Sequence, residues 1–375
     1  MSQHRRSTSE VSAKTSVHHM APRKSQRTGK AKRKVKFSKA KEGSLWHVFK
    51  APIKHLRQAP MRGQAKTSDY NGRYIDIKDV KCWDDFITPE EVEALWMDNP
   101  DLKTIFERRL KPAETGKILT AAPVTGGLRD EHALELEWHS VHHQLNLALK
   151  LCAEAMGSSG HVMIGPGSNA QKISSDAEPD AHRKRPDFAV YLYLDDSQYN
   201  GDNVKQVDNR VPGDAKQFRA IRRSMLPPDG KDFNKKNRNL KAIKVLSQIH
   251  GYMDRHEARY GYILNNEELV FLRRRDTGWG QLDISPAIRH DVEADAENGI
   301  LNSKYALFYF LHQVANDDSP SGWRLQSFGT ETQDEAPRQR VSSIAFRKEA
   351  KAKATWLQVG KEKLVKLFGS MANFL

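Results

Sequence analysis

Two short segments of this chain carry residue types able to do chemistry: Pro186-Asp187 and Asp214-Ala215-Lys216. The two acids can offer hard oxygen ligands to Mg²⁺, and the lysine can orient or polarise a water for attack on a phosphodiester. Each segment lies in a run that reads as a buried strand, PDFAVYLYL from Pro186 to Leu194 and RVPGDAKQF from Arg210 to Phe218. Strand side chains alternate in direction, so Asp214 and Lys216, two apart, project to one face. A third acid is available from a helical segment carrying Glu135 and Glu137. Patterns this short recur by chance, and an acid at a strand end can equally cap a turn.

The elements that must hold these residues can be traced from periodicity. Thr88 with Glu91 forms a capping box, with Pro89 at the first helical position, so a helix is predicted there, broken near Asn99-Pro100 and resuming towards Leu110. Leu134, Trp138, Val141, Leu145, Ala148, Leu149 and Cys152 recur at helical spacing from about Asp130 to Met156. Strands are expected over His161 to Ile164, Phe188 to Leu194 and Val211 to Lys216. A helix follows from Asn239 to His256, then a strand pair, Tyr260 to Leu264 and Glu268 to Arg273, turned by Asn265-Asn266. Tyr305 to Ala315 reads as a further helix. This order indicates an α/β or α+β core around a mixed sheet.

Taken in order, several pieces resemble the PD-(D/E)XK nuclease superfamily. They are Glu135-Leu-Glu-Trp138 with Val141-His142, Arg185-Pro-Asp-Phe-Ala-Val190, Pro212-Gly-Asp-Ala-Lys216, Gln248, Arg259-Tyr-Gly-Tyr-Ile-Leu264 and Glu268-Leu-Val270. More closely, they resemble a group of uncharacterised fungal proteins and the region preceding the kinase domain in fungal-type protein kinases. The resemblance runs from about Glu135 to Ala315, and the Gly-Asp-x-Lys and Arg-Tyr-Gly-Tyr segments are its most specific parts. It implies a restriction-endonuclease-like core, a central mixed sheet flanked by helices. It implies that Asp187 and Asp214 are the metal-binding acids, with Glu135 (or Glu137) as the helical acid. Lys216 would position the nucleophilic water, and Gln248 would support the site. Mg²⁺ or Mn²⁺ would be the cofactor and nucleic acid the substrate. Ala215 and His139 depart from the usual residues of the fungal group, at positions that are not metal ligands. Too few residues follow Ala315 for a kinase domain, so no kinase activity is implied. A second function stays open: an inactive module of this fold that binds a protein or nucleic acid.

Composition divides the chain. Its net charge is +14, and residues 1–70 hold 18 Lys and Arg against 3 Asp and Glu, leaving 43 against 44 in the remainder. The basicity therefore belongs to a tail, residues 1–68, read as disordered. Within it, Leu45-Trp46-His47-Val48-Phe49 is a semi-apolar patch able to dock on the domain or on a partner, and Lys30 to Lys36 is a basic cluster that favours nuclear import over a cytoplasmic site. A helical extension over 69–128, the core over 129–316, a loose polar segment over 317–345 and a basic amphipathic helix over 346–375 complete the expected organisation. The tail and the last helix are the candidate surfaces for nucleic-acid or protein partners. The two cysteines, Cys82 and Cys152, point to a reducing compartment, and no run approaches the ~18 to 20 apolar residues of a membrane span. His139, His142 and His143 share a helix but lack further ligands and read as packing or surface residues. Gly165-Pro-Gly-Ser168 reads as a turn, because Pro166 removes an amide a phosphate loop would use. Arg273-Arg274-Arg275 reads as a solvated strand end.

Overall fold

The computed structural model of the protein describes residues 42–53, 77–114, 131–170, 185–194, 207–216, 221–225, 240–295, 300–314 and 320–327. All lie within the unit of residues 35–375, and residues 1–34 lie outside the described residues. The element order is α1 (Leu45–Lys50), β1 (Asp79–Cys82), α2 (Pro89–Asp98), α3 (Pro100–Glu107), α4 (Glu131–Ala155), β2 (His161–Pro166), β3 (Phe188–Tyr193), β4 (Gly213–Ala215), α5 (Leu240–Arg255), β5 (Tyr260–Leu264), β6 (Glu268–Arg274), β7 (Gln281–Ile284), β8 (Ile288–Arg289), α6 (Ser303–Val314) and α7 (Pro320–Trp323).

Local chemistry accounts for the boundaries. At α2, Thr88 Oγ1 accepts from the Glu91 amide at 3.3 Å and Glu91 Oε2 accepts from the Thr88 amide at 2.8 Å, closing the capping box read from sequence. Pro100, which has no amide proton to donate, separates α2 from α3. Between β5 and β6, Asn265 Oδ1 accepts from the amides of Glu267 (2.7 Å) and Glu268 (2.8 Å), so an Asx turn makes the hairpin.

The eight strands form one mixed sheet of order β1-β7-β6-β5-β4-β3-β2, with β8 paired to β6. The β1–β7 and β4–β5 pairs are parallel and the others antiparallel. From α4 onward the chain runs helix, three antiparallel strands, helix, and a strand parallel to the third. Helices cover both faces. Phe188, Val190, Ala215, Tyr262, Leu264 and Phe271 pack with Trp138, Val141 and Leu145 of α4 and with Tyr305 to Leu311 of α6. Ile263, Val270, Leu272 and Leu282 face Ala242, Val245, Leu246, Ile249 and Met253 of α5. The alternation along β5 is the period-two pattern of a strand buried on both sides.

The structure departs from the sequence reading in several places. Residues 42–53 are not part of a disordered tail. Ser44 caps α1, and Leu45, Trp46 and Phe49 are buried against Trp96, Phe106, Tyr305 and Phe308. Strands β1, β7 and β8 go unpredicted; they have two to four residues each and little apolar run to betray them. Arg273, Arg274 and Arg275 are ion-paired rather than a freely solvated strand end. Arg273 pairs with Asp283 (2.8 Å) and Arg275 with Asp79 (2.7 Å), while fully buried Arg274 pairs with Asp254 (2.7 Å) and donates to four backbone carbonyls. Residues 320–327 of the segment expected to be loose carry α7 and cross from Trp323 to Arg259, whose amide donates to the Trp323 carbonyl at 2.7 Å. The expected helix over 346–375 and the basic cluster Lys30 to Lys36 lie outside the described residues. No described helix is long and apolar enough to cross a membrane.

Candidate metal and phosphodiester site

The site begins where β3 and β4 separate. Their ladder consists of the Phe188–Gly213 pair. Beyond it the Asp187 side chain replaces the main chain as partner, its Oδ2 accepting the Ala215 amide at 2.7 Å. On its other edge β4 stays in the sheet, with the Lys216 amide donating to the Leu264 carbonyl at 2.8 Å. A carboxylate that satisfies a strand amide has a fixed direction, so Asp187 is oriented before any ligand arrives.

Two glycines make this geometry possible. A Cβ on Gly167, in the turn after β2, would overlap the Pro186 carbonyl oxygen; the Gly167 amide donates to the Asp187 carbonyl at 3.0 Å. A Cβ on Gly213 would overlap the ring of Tyr262, which lies across that position. Thus only part of Gly165-Pro-Gly-Ser168 turns as expected: Gly165 and Pro166 end β2, paired with Ala189 and Phe188, and the short 3₁₀ segment Gly167–Asn169 that follows braces Pro186-Asp187.

Asp187, Asp214 and Lys216 meet. Lys216 Nζ lies 2.8 Å from Asp214 Oδ2 and 3.9 Å from Asp187 Oδ2, and it donates to the Ala215 carbonyl at 3.1 Å. Side-chain exposure is graded, 1% for Asp214, 10% for Lys216 and 24% for Asp187, so the cluster opens to solvent on the Asp187 side. Among the described residues no donor faces the buried Asp214 Oδ1, while Oδ2 is paired with the Lys216 ammonium. Burial pushes the Asp214 carboxyl well above its ordinary pKa; the Lys216 charge pulls it down and the neighbouring Asp187 carboxylate pushes it further up.

The other expected residues lie on the flanking helices α4 and α5. Glu135 and Glu137 are half-buried on α4, and among the described residues no three His, Cys, Asp or Glu side chains are grouped to hold a metal ion. Gln248 lies on α5, and its amide donates to the Tyr252 hydroxyl at 2.8 Å. His142 is buried with its ring centroid 4.6 Å from that of Phe188; burial drives its pKa well below the ordinary imidazole value, so it is neutral packing, whereas His143 is exposed. A buried hydroxyl goes unpredicted. Tyr262 OH has no partner among the described residues, and burial first, then the Asp187 charge, raises its pKa well above the ordinary phenol value. The Arg-Tyr-Gly-Tyr segment that contains it was its available signal.

The donor set suits a hard divalent cation. Mg²⁺ is commonly held by one or two carboxylates while keeping several waters and taking phosphate oxygens, so two aspartates are a sufficient protein contribution. The buried Asp214 oxygen without a donor is the observation that favours such an ion. In comparison with known proteins, no family model, curated protein or solved structure matches the chain.

Proposed function

We propose that the protein is a Mg²⁺- or Mn²⁺-dependent nuclease-like phosphodiesterase on a restriction-endonuclease-like core of the PD-(D/E)XK kind. The observation that carries this reading is the convergence of Asp187, Asp214 and Lys216 at the split between β3 and β4. The run α4-β2-β3-β4-α5-β5, with three antiparallel strands followed by a parallel one, agrees with such a core. Asp187 and Asp214 would hold the ion, which supplies Lewis-acid activation of water and phosphate when bound. Asp187, anchored by the Ala215 amide, keeps its carboxylate aimed. Lys216 would donate to and orient the attacking water, and its positive charge would offset the charge that builds on the phosphate. The low exposure of Asp214 keeps bulk water from the inner part of the cluster.

A second reading is an inactive module that binds nucleic acid or protein. It is favoured by the absence of a third ligating side chain among the described residues and by the concentration of positive charge in residues 1–70. Incubation of the full chain with single- and double-stranded DNA and RNA separates the two. The nuclease reading expects cleavage with Mg²⁺ or Mn²⁺, none in EDTA, and a loss on the order of a hundredfold or more in Asp214→Asn and Lys216→Ala. Cleavage equal in wild type and both variants, or none with any substrate or ion, sinks it.

A further inference from the structure

The position of the Lys216 ammonium has a consequence for how the site is loaded, and it rests on the reading just given. Three oxygens surround Nζ: Asp214 Oδ2 at 2.8 Å, the Ala215 carbonyl at 3.1 Å and Asp187 Oδ2 at 3.9 Å. These are the hard oxygens a divalent cation would use, and the ammonium sits among them. Asp187 is held in place by the Ala215 amide and Asp214 by burial, whereas a lysine tip on a four-carbon stem can move.

We propose that Lys216 is the internal counter-ion of the unloaded site, occupying the cation position between Asp187 and Asp214, so that divalent-ion binding requires its ammonium to swing away and lysine and metal compete for the same carboxylates.

This arrangement solves a folding problem. Two adjacent carboxylates, one 1% exposed, repel each other, and a buried unpaired charge is costly. The Lys216 ammonium offsets one of the two carboxylate charges while no ion is bound. The same lysine, displaced outward by the arriving ion, is then beside the phosphate it must meet. Occupancy by the ion and delivery of Lys216 to its working position become one event, which keeps the lysine away from substrate until the ion is in place.

Calcium binding to the full chain provides the test, because Ca²⁺ reports occupancy without depending on turnover. Titration calorimetry is run on wild type, Lys216→Met and Asp214→Asn. The expected result is Ca²⁺ affinity about tenfold or more tighter in Lys216→Met than in wild type, since a competing charge is removed, and lost in Asp214→Asn. Equal affinity in wild type and Lys216→Met overturns the counter-ion role and leaves the phosphodiesterase reading standing. No Ca²⁺ binding in either protein overturns both. Should Lys216→Met fold poorly, the wild-type chain labelled with ¹³Cε-lysine decides. The Lys216 resonance must shift with the same midpoint as the calorimetric binding; an unmoved resonance while Ca²⁺ binds overturns the proposal.

Discussion

At the scale of single residues, positions that carry no chemistry govern the ones that do. Gly213 and Gly167 are needed because the Tyr262 ring and the Pro186 carbonyl fill the space a side chain would take. Gly213→Ala has to push the Tyr262 ring aside or bend β4, an overpacking change that costs about 1–3 kcal/mol. Urea unfolding is expected to show that loss, and the double variant Gly213→Ala/Tyr262→Leu to recover part of it; a double variant no better than the single one removes the ring as the cause. The acids and the lysine were legible in sequence because strand alternation puts Asp214 and Lys216 on one face whatever surrounds them. Glu135 was not decided by such a rule. A helix presents side chains all around its axis, and which acid on it reaches a site depends on how the helix lies on the sheet.

At the scale of elements, α1 is the least expected part of the fold and one of the best anchored. Its last turn is held from α6 and the loop before it: Asn302 Nδ2 donates to the Phe49 carbonyl at 2.8 Å, and the Lys304 ammonium donates to the Val48 carbonyl. Carbonyls at a helix C-terminus are short of donors, and a lysine there also suits the helix dipole. Lys304 is buried, and burial alone lowers its pKa from 10.5 to about 8. Below that value lysine is charged in both states, and the fold carries the cost of burying it. Between about 8 and 10.5 the unfolded chain binds a proton the folded chain does not, so this group's contribution to stability rises with pH. Unfolding free energies of wild type and Lys304→Met, compared across that window, should therefore diverge by up to about 3 kcal/mol in favour of wild type as pH rises. A difference that stays constant with pH would falsify the assignment.

At the scale of the whole molecule, docking of α1 changes where the basic tail is divided from the folded unit. Cutting after residue 41 removes most of the excess charge while sparing Leu45, Trp46 and Phe49; cutting after residue 53 removes those buried side chains as well. The shorter deletion is expected to melt like the full chain but to lose most of its non-specific, salt-sensitive affinity for DNA or RNA, because that affinity follows the number of cations facing phosphates. The longer deletion should be destabilised by several kcal/mol, since loss of a buried tryptophan or phenylalanine alone costs about 3–5. Melting curves and binding measured at two salt concentrations check both. Unchanged nucleic-acid affinity after the shorter deletion would instead locate binding on the folded unit.

What the amino-acid order determined by itself was local: the capping box at Thr88, the Pro100 break, the Asn265 turn, the long amphipathic α4 and α5, and the shared face of Asp214 and Lys216. Each follows from interactions within a few residues, so the signal is complete in a short window. Only the tertiary structure decided that Asp187 leaves the ladder to take the Ala215 amide, that Lys216 lies among the Asp187, Asp214 and Ala215 oxygens, that α1 belongs to the core, and that Arg273, Arg274 and Arg275 are ion-paired staples rather than a solvated strand end. Apart from the Asp214 and Ala215 contacts of Lys216, those outcomes depend on partners ten to hundreds of residues away, and the burial around them exists only after the sheet has closed over them.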